Sequence, residues 1–185
     1  MILNGEGKLV PVIGIHGSGG SGKSTLAEKI YNRSWNKQHR AAWMSLGEPV
    51  YTITSELTGI PVDKLRGELK DTEVMANPVL PQCKTYRQAL ITVAEALRAA
   101  NIHLFVNHLK LRALQKASDL IIVDDIRKGL ELQIVDYLIC ISGGVGRDKD
   151  NIEGDLFEYA NLILPEKTAL SGNEIDKILA TLNLT

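Results

Sequence analysis

Apolar residues along this chain fall into two alternating rhythms. Short apolar runs mark strands: Leu9-Val10-Pro11-Val12-Ile13-Gly14-Ile15, Leu120-Ile121-Ile122-Val123 and Asp136 to Ile141 read as buried strands, and Ala41-Ala42-Trp43-Met44-Ser45-Leu46 and Asn161-Leu162-Ile163-Leu164 as further short ones. Between them, apolar positions return at helical spacing. Leu90, Ile91, Ala94 and Leu97 predict a helix over about 83–99. Ile102, Phe105, Val106, Leu109 and Ala113 predict another over about 102–116. A third helix, about 49–60, is closed by Gly59 and Pro61. Ser171-Gly172-Asn173-Glu174 is a capping box opening a last helix with Ile175, Ile178, Leu179 and Leu182 as its stripe. Residues 1–8 read as a leader, and 61–81 as a mixed segment with Leu65, Leu69 and Val74 before Pro78 and Pro81 break the chain. Strand-helix alternation predicts one α/β domain over 1–185, its parallel sheet of about five strands covered by helices on both faces. The stretch 47–118 is too long for an ordinary crossover and reads as a helical insertion. Glycine and charge make 143–157 a lid-like loop.

The first strand runs into Gly17-Ser18-Gly19-Gly20-Ser21-Gly22-Lys23-Ser24-Thr25, and helix-forming residues follow. Strand, G-x-x-x-x-G-K-[ST] and helix together define a phosphate-binding loop, and with it a P-loop NTPase fold. Glycines let the backbone approach a phosphate, successive N–H groups form a concave anion site, and the helix N-terminus adds positive charge. Lys23 is expected on the β- and γ-phosphates and Ser24 on Mg²⁺, so ATP and Mg²⁺ are the expected cofactors.

Open α/β sheets bind ligands beyond the carboxyl ends of their strands. Asp124 and Asp125 end a buried strand there, as a Walker B acid does, and at least one of them is expected to assist the metal held by Ser24. Arg127, two residues on, suits a phosphate because its planar fork makes paired hydrogen bonds and keeps its charge. Arg87 and Arg98 lie on one predicted helix at roughly 16 Å along its axis, so they would serve different groups. Arg66 and Lys70 read as solvated cations, while Arg147 and Lys149 would let the lid bring charge over the triphosphate. His16 reads as a strand end, and His103 and His108 lack the spacing of a shared metal site.

Composition changes the picture only by exclusion. A net charge of −1 makes no electrostatic case for nucleic acid or anionic membrane. Cys83 and Cys140 lack metal spacing and suit a reducing, cytoplasmic compartment. No apolar run has the length of a membrane span. A switch GTPase would need an N-K-x-D segment late in the chain, which is absent. The size and insertion suit phosphoryl transfer to a small acceptor.

Several ordered stretches resemble the phage-type deoxynucleoside monophosphate kinases, a branch of the P-loop kinases. They are the phosphate loop, Leu46-Gly47-Glu48-Pro49, Leu65-Arg66-Gly67-Glu68-Leu69-Lys70-Asp71, Tyr86-Arg87-Gln88-Ala89-Leu90, Glu95-Ala96-Leu97-Arg98 and Val123-Asp124-Asp125-Ile126-Arg127. The resemblance implies ATP-dependent formation of a (deoxy)nucleoside diphosphate. Asp125 and Arg127 would match the family's D-x-R, Arg87 and Arg98 its basic helix, and the partner would be a small nucleotide, with a homodimer left open. Tyr51, Ser142 and Asn151 stand where that family commonly has lysine, arginine and histidine. A P-loop kinase for another acceptor, of the dephospho-coenzyme A or sugar type, and a nucleotide-binding regulatory protein with a relic site are the alternatives.

Overall fold

The computed structural model describes residues 1–67, 69, 72, 79–142, 156–167 and 170–184. The chain divides into two compact units, one made of Met1–Ser45 with His108–Thr185, the other of Leu46–Asn107.

The first unit is built on a five-stranded parallel sheet. Its strands are β3 (Val12–Gly17), β4 (Ala41–Met44), β5 (Leu120–Val123), β6 (Tyr137–Ser142) and β7 (Leu162–Pro165). Their order across the sheet is β4-β5-β3-β6-β7. Every residue of β3 and β5 is buried, which explains why both read as continuous apolar runs. Helices α1 (Lys23–Asn36) and α6 (Gly172–Thr181) carry Leu26, Ala27, Ile30, Ile175, Ile178 and Leu179 into one core with Ile13, Ile15, Leu120, Ile122, Ile139 and Ile141. Arg33 ties the two helices together through a bidentate pair with Asp176, at 2.7 and 2.5 Å. The predicted capping box of α6 is present, Ser171 Oγ accepting from Glu174 N–H and Glu174 accepting from Ser171 N–H.

On the opposite face β3 makes room with a glycine. A Cβ at Gly14 would stand 2.8 Å from Val135 Cγ2 and 2.9 Å from Ile126 Cγ1, so side chains from the segment after β5 lie directly on the strand backbone. The segment after Asp125 forms a 3₁₀ helix, Gly129–Ile134. The expected first strand at 9–15 is divided at Pro11. Leu9–Val10 (β2) pairs antiparallel with Ile2–Leu3 (β1), so residues 1–8 are part of a hairpin over 2–10 instead of a bare leader. Buried Asn4 closes its turn, accepting from the N–H groups of Glu6 and Lys8.

In the second unit, α2 (Glu48–Thr58) has Pro49 in its first turn and ends at Gly59, whose φ of 72° is the left-handed conformation of a helix C-cap. After α3 (Val62–Arg66) comes α4 (Tyr86–Ala100), capped by the Thr85 hydroxyl accepting from Gln88 N–H. Helix α5 (Leu104–Ala113) runs across the boundary between the units and is shorter than the predicted 102–116. Arg66 is exposed, and there it pairs with Glu48 and lies 4.9 Å from the centre of the Tyr51 ring.

Substituting Gly14 by alanine is expected to cost about 1–3 kcal/mol in urea unfolding, because a packed site must give way. Gly129→Ala, with nothing within 4 Å of its Cβ position, should stay within about 0.5 kcal/mol of wild type.

Candidate functional site

Parallel pairing sets the site. Ile13 lies opposite Ile122 and Gly14 opposite Val123, so the chain leaves β5 at Asp124 beside the end of β3, where the phosphate loop begins. On the other side Met44 lies opposite Val123, which brings Ser45 level with Asp124.

The loop enters α1 through Gly22, whose φ of 101° is closed to other residues without strain. Ser21 N–H donates to Ser18 O, and Lys167 N–H, from the turn after β7, donates to Ser21 O at 3.1 Å. Lys23 Nζ turns back over the loop and donates to Gly17 O at 2.5 Å and Ser18 O at 2.7 Å. Gly19, Gly20, Ser24 and Thr25 are exposed at the loop and first helical turn. Ser21 Oγ is buried in the loop with no hydrogen-bond partner among the described residues. The Lys23 ammonium, resting on main-chain carbonyls, is a group that phosphate oxygens would engage. The loop therefore fits a nucleotide phosphate.

The two acids have different partners. Ser24 Oγ donates to Asp124 Oδ2 at 2.8 Å, and Ser45 Oγ donates to Asp125 Oδ2 at 2.6 Å. Of the two, Asp124 is the one placed on the hydroxyl expected to hold Mg²⁺. Burial, and then the charge of Asp125, push the Asp124 carboxyl above the ordinary aspartate range, against the pull of hydrogen bonds from Ser24 and Trp43. A divalent cation supplies the opposite charge that such a pair lacks. Carboxylates and a hydroxyl are the oxygen donors Mg²⁺ takes.

Arg127 follows on the turn after β5, half-buried. Its N–H donates to Glu131 Oε2 at 2.7 Å, and its guanidinium makes no hydrogen bond or ion pair among the described residues. Arg87 and Arg98 lie on α4 in the other unit, where the Arg98 guanidinium sits 4.9 Å from the centre of the Phe105 ring. Arg147, Lys70, Lys149 and Asn151 lie outside the described residues, as does the lid-like segment up to 155. Of its last two residues, Leu156 is buried, and Phe157 stands edge-on to the His16 ring. His16 is itself buried, its Nδ1–H donating to Ile126 O at 2.8 Å. Ser142 Oγ donates to Leu164 O.

Ser45, Trp43 and Glu131 are the residues that sequence reading missed. The first two sit at the end of a predicted strand, which was a signal of place though not of partner. Glu131 is a lone acid in an amphipathic stretch and carried no signal.

Because folded Asp124 holds its proton to higher pH than the unfolded chain does, nucleotide-free stability should fall as pH rises from the ordinary aspartate range through its raised value. Asp124→Asn removes that fall. Melting curves from about pH 4 to about pH 8 should find the variant more stable than wild type at neutral pH, yet less stabilised by added Mg²⁺-nucleotide.

Residues 2–138 match the NB-ARC domain family. The matched stretch holds the phosphate loop, Ser45, both acids and Arg127, and the family is one of P-loop NTPases that bind ATP with Mg²⁺. The match carries the nucleotide-binding class and the cofactors, ATP and Mg²⁺, but not an acceptor, and it is not to the monophosphate kinases that the sequence resembles. No curated protein matches the chain. Since the match takes in well over half of the sequence, this chain belongs to the NB-ARC domain family of nucleotide-binding P-loop NTPases.

Proposed function

We propose that this P-loop NTPase is an ATP-dependent phosphotransferase acting on a small acceptor, a (deoxy)nucleoside monophosphate. The observation that carries the reading is the row at the carboxyl edge of β5: Asp124 on Ser24, Asp125 held separately by Ser45, and Arg127 with its guanidinium uncommitted. One carboxylate serves the metal and a cation remains for phosphate. The resemblance to deoxynucleotide kinases in the stretches around Arg66, Arg87, Arg98 and Arg127 supports the acceptor class.

In the transfer an acceptor phosphate oxygen forms a bond to the γ-phosphorus as the bond to the β-phosphate oxygen breaks, leaving ADP and a nucleoside diphosphate. The transition state is loose and asks the protein for position and charge rather than covalent help. Lys23 and the loop N–H groups would hold the donor phosphates, and Ser24 with Asp124 would hold Mg²⁺, which neutralises β- and γ-oxygen charge when bound. Arg127 would orient the transferring group and neutralise its charge, and Asp125, fixed by Ser45, would stand beside the metal-side acid.

The family match favours a second reading, a regulatory protein whose state follows the bound nucleotide. The two part in one assay: ADP formation from Mg²⁺-ATP with each common ribo- and deoxyribonucleoside monophosphate added separately. The phosphotransferase reading expects release that depends on one or a few of them. Tight ATP binding with no acceptor-dependent release across the panel would overturn it in favour of regulation. In either case Lys23→Ala should weaken ATP binding roughly ten- to a hundredfold, the worth of a charge-assisted hydrogen bond, as read by calorimetry.

A further inference from the structure

The turn that carries Arg127 has no sheet ladder to satisfy its backbone, yet its polar groups are held. Ile126 N–H donates to Ile15 O at 3.2 Å, and Ile126 O accepts from buried His16 Nδ1–H. The next two N–H groups, of Arg127 and Lys128, converge on a single oxygen, Glu131 Oε2, at 2.7 and 3.1 Å. Glu131 is only 5% exposed. A buried carboxylate is costly to keep unless hydrogen bonds repay its lost hydration, and here its acceptor oxygen faces the backbone of the arginine just past the metal-side acids. Glu131 N–H in turn donates to Lys128 O, closing the turn from the other side.

We infer that Glu131 is a positioning residue. Through Oε2 it holds the 126–128 backbone so that Arg127 presents its guanidinium to the terminal phosphate of the bound nucleoside triphosphate. The inference rests on the phosphate-facing role given to Arg127 above, but it does not need an acceptor. An arginine on an unfixed turn would have to be ordered each time nucleotide binds, and Glu131 removes that cost beforehand. Glutamine retains an acceptor oxygen of the same reach, whereas alanine leaves two N–H groups unanswered.

The test compares Mg²⁺-ATP with Mg²⁺-ADP affinity by calorimetry in wild type, Arg127→Ala, Glu131→Ala, Glu131→Gln and the Arg127→Ala/Glu131→Ala double variant. ADP lacks the terminal phosphate, so the ratio of the two affinities reads the contacts to that phosphate, and its change in each variant reads what Arg127 adds, while general damage to the fold weakens both nucleotides together. Arg127→Ala is expected to lower the ATP preference about tenfold. Glu131→Ala should lower it comparably, the double variant no further, and Glu131→Gln should restore most of it. A Glu131→Ala ratio equal to wild type beside a lowered Arg127→Ala ratio would overturn the inference. So would losses that multiply in the double variant, or equal weakening of ATP and ADP in both Glu131 variants. An unchanged ratio in Arg127→Ala overturns it by removing the phosphate contact. The monophosphate panel decides the phosphotransferase reading separately, since that assay fails or succeeds on acceptor dependence.

Discussion

The hydrogen-bonded pairing of β3 with β5 is the constraint on which the nucleotide site depends. Paired strands lie about 4.8 Å apart, so loops leaving the same edge of neighbouring strands are forced side by side. The register is held by burial: both strands are apolar on both faces, and a slip of one residue would exchange every side chain between two differently shaped cores. The 2.8 Å bond between Ser24 and Asp124, residues separated by 100 positions, is thus a consequence of how Ile13, Ile15, Leu120 and Ile122 fill the space beneath α1 and α6.

The same arrangement sets stability against binding. Asp124 is placed where burial and Asp125 both oppose its ionisation, so the site without its cation keeps a carboxylate in an unfavourable environment. Lys23 meanwhile lies on the carbonyls of Gly17 and Ser18, which phosphate oxygens would replace as its partners. A carboxylate placed like that of Asp124 gains from a bound cation, and natural sites commonly sacrifice local consistency for function. The turn after β5 shows the opposite treatment. There Glu131, His16 and Ile15 satisfy the main chain around Ile126 and Arg127, because an irregular buried backbone has no ladder to do so.

What could be read along the chain was chemistry confined to one contiguous stretch. The phosphate loop was legible because a strand, glycines at set offsets, Lys23, Ser24 and a following helix are all neighbours in sequence. The buried strand Leu120–Val123 and the capping box at Ser171 and Glu174 were legible for the same local reason. The hairpin of residues 2–10 was not, since Pro11 and the Asn4 turn divide an apolar run that looks continuous by composition. The pairing of exposed Arg66 was not legible either, since its helix gives no hint of Glu48, 18 positions earlier.

Partners drawn from distant segments were decided only by the folded chain. Which of two adjacent acids meets Ser24, why Ser45 takes the other, and why Gly14 must be bare all follow from parallel register and side chains arriving across the sheet. Composition and spacing carry no record of such meetings. They arise when separate segments compete for one core and the polar groups at its edge must find partners where the packing leaves them.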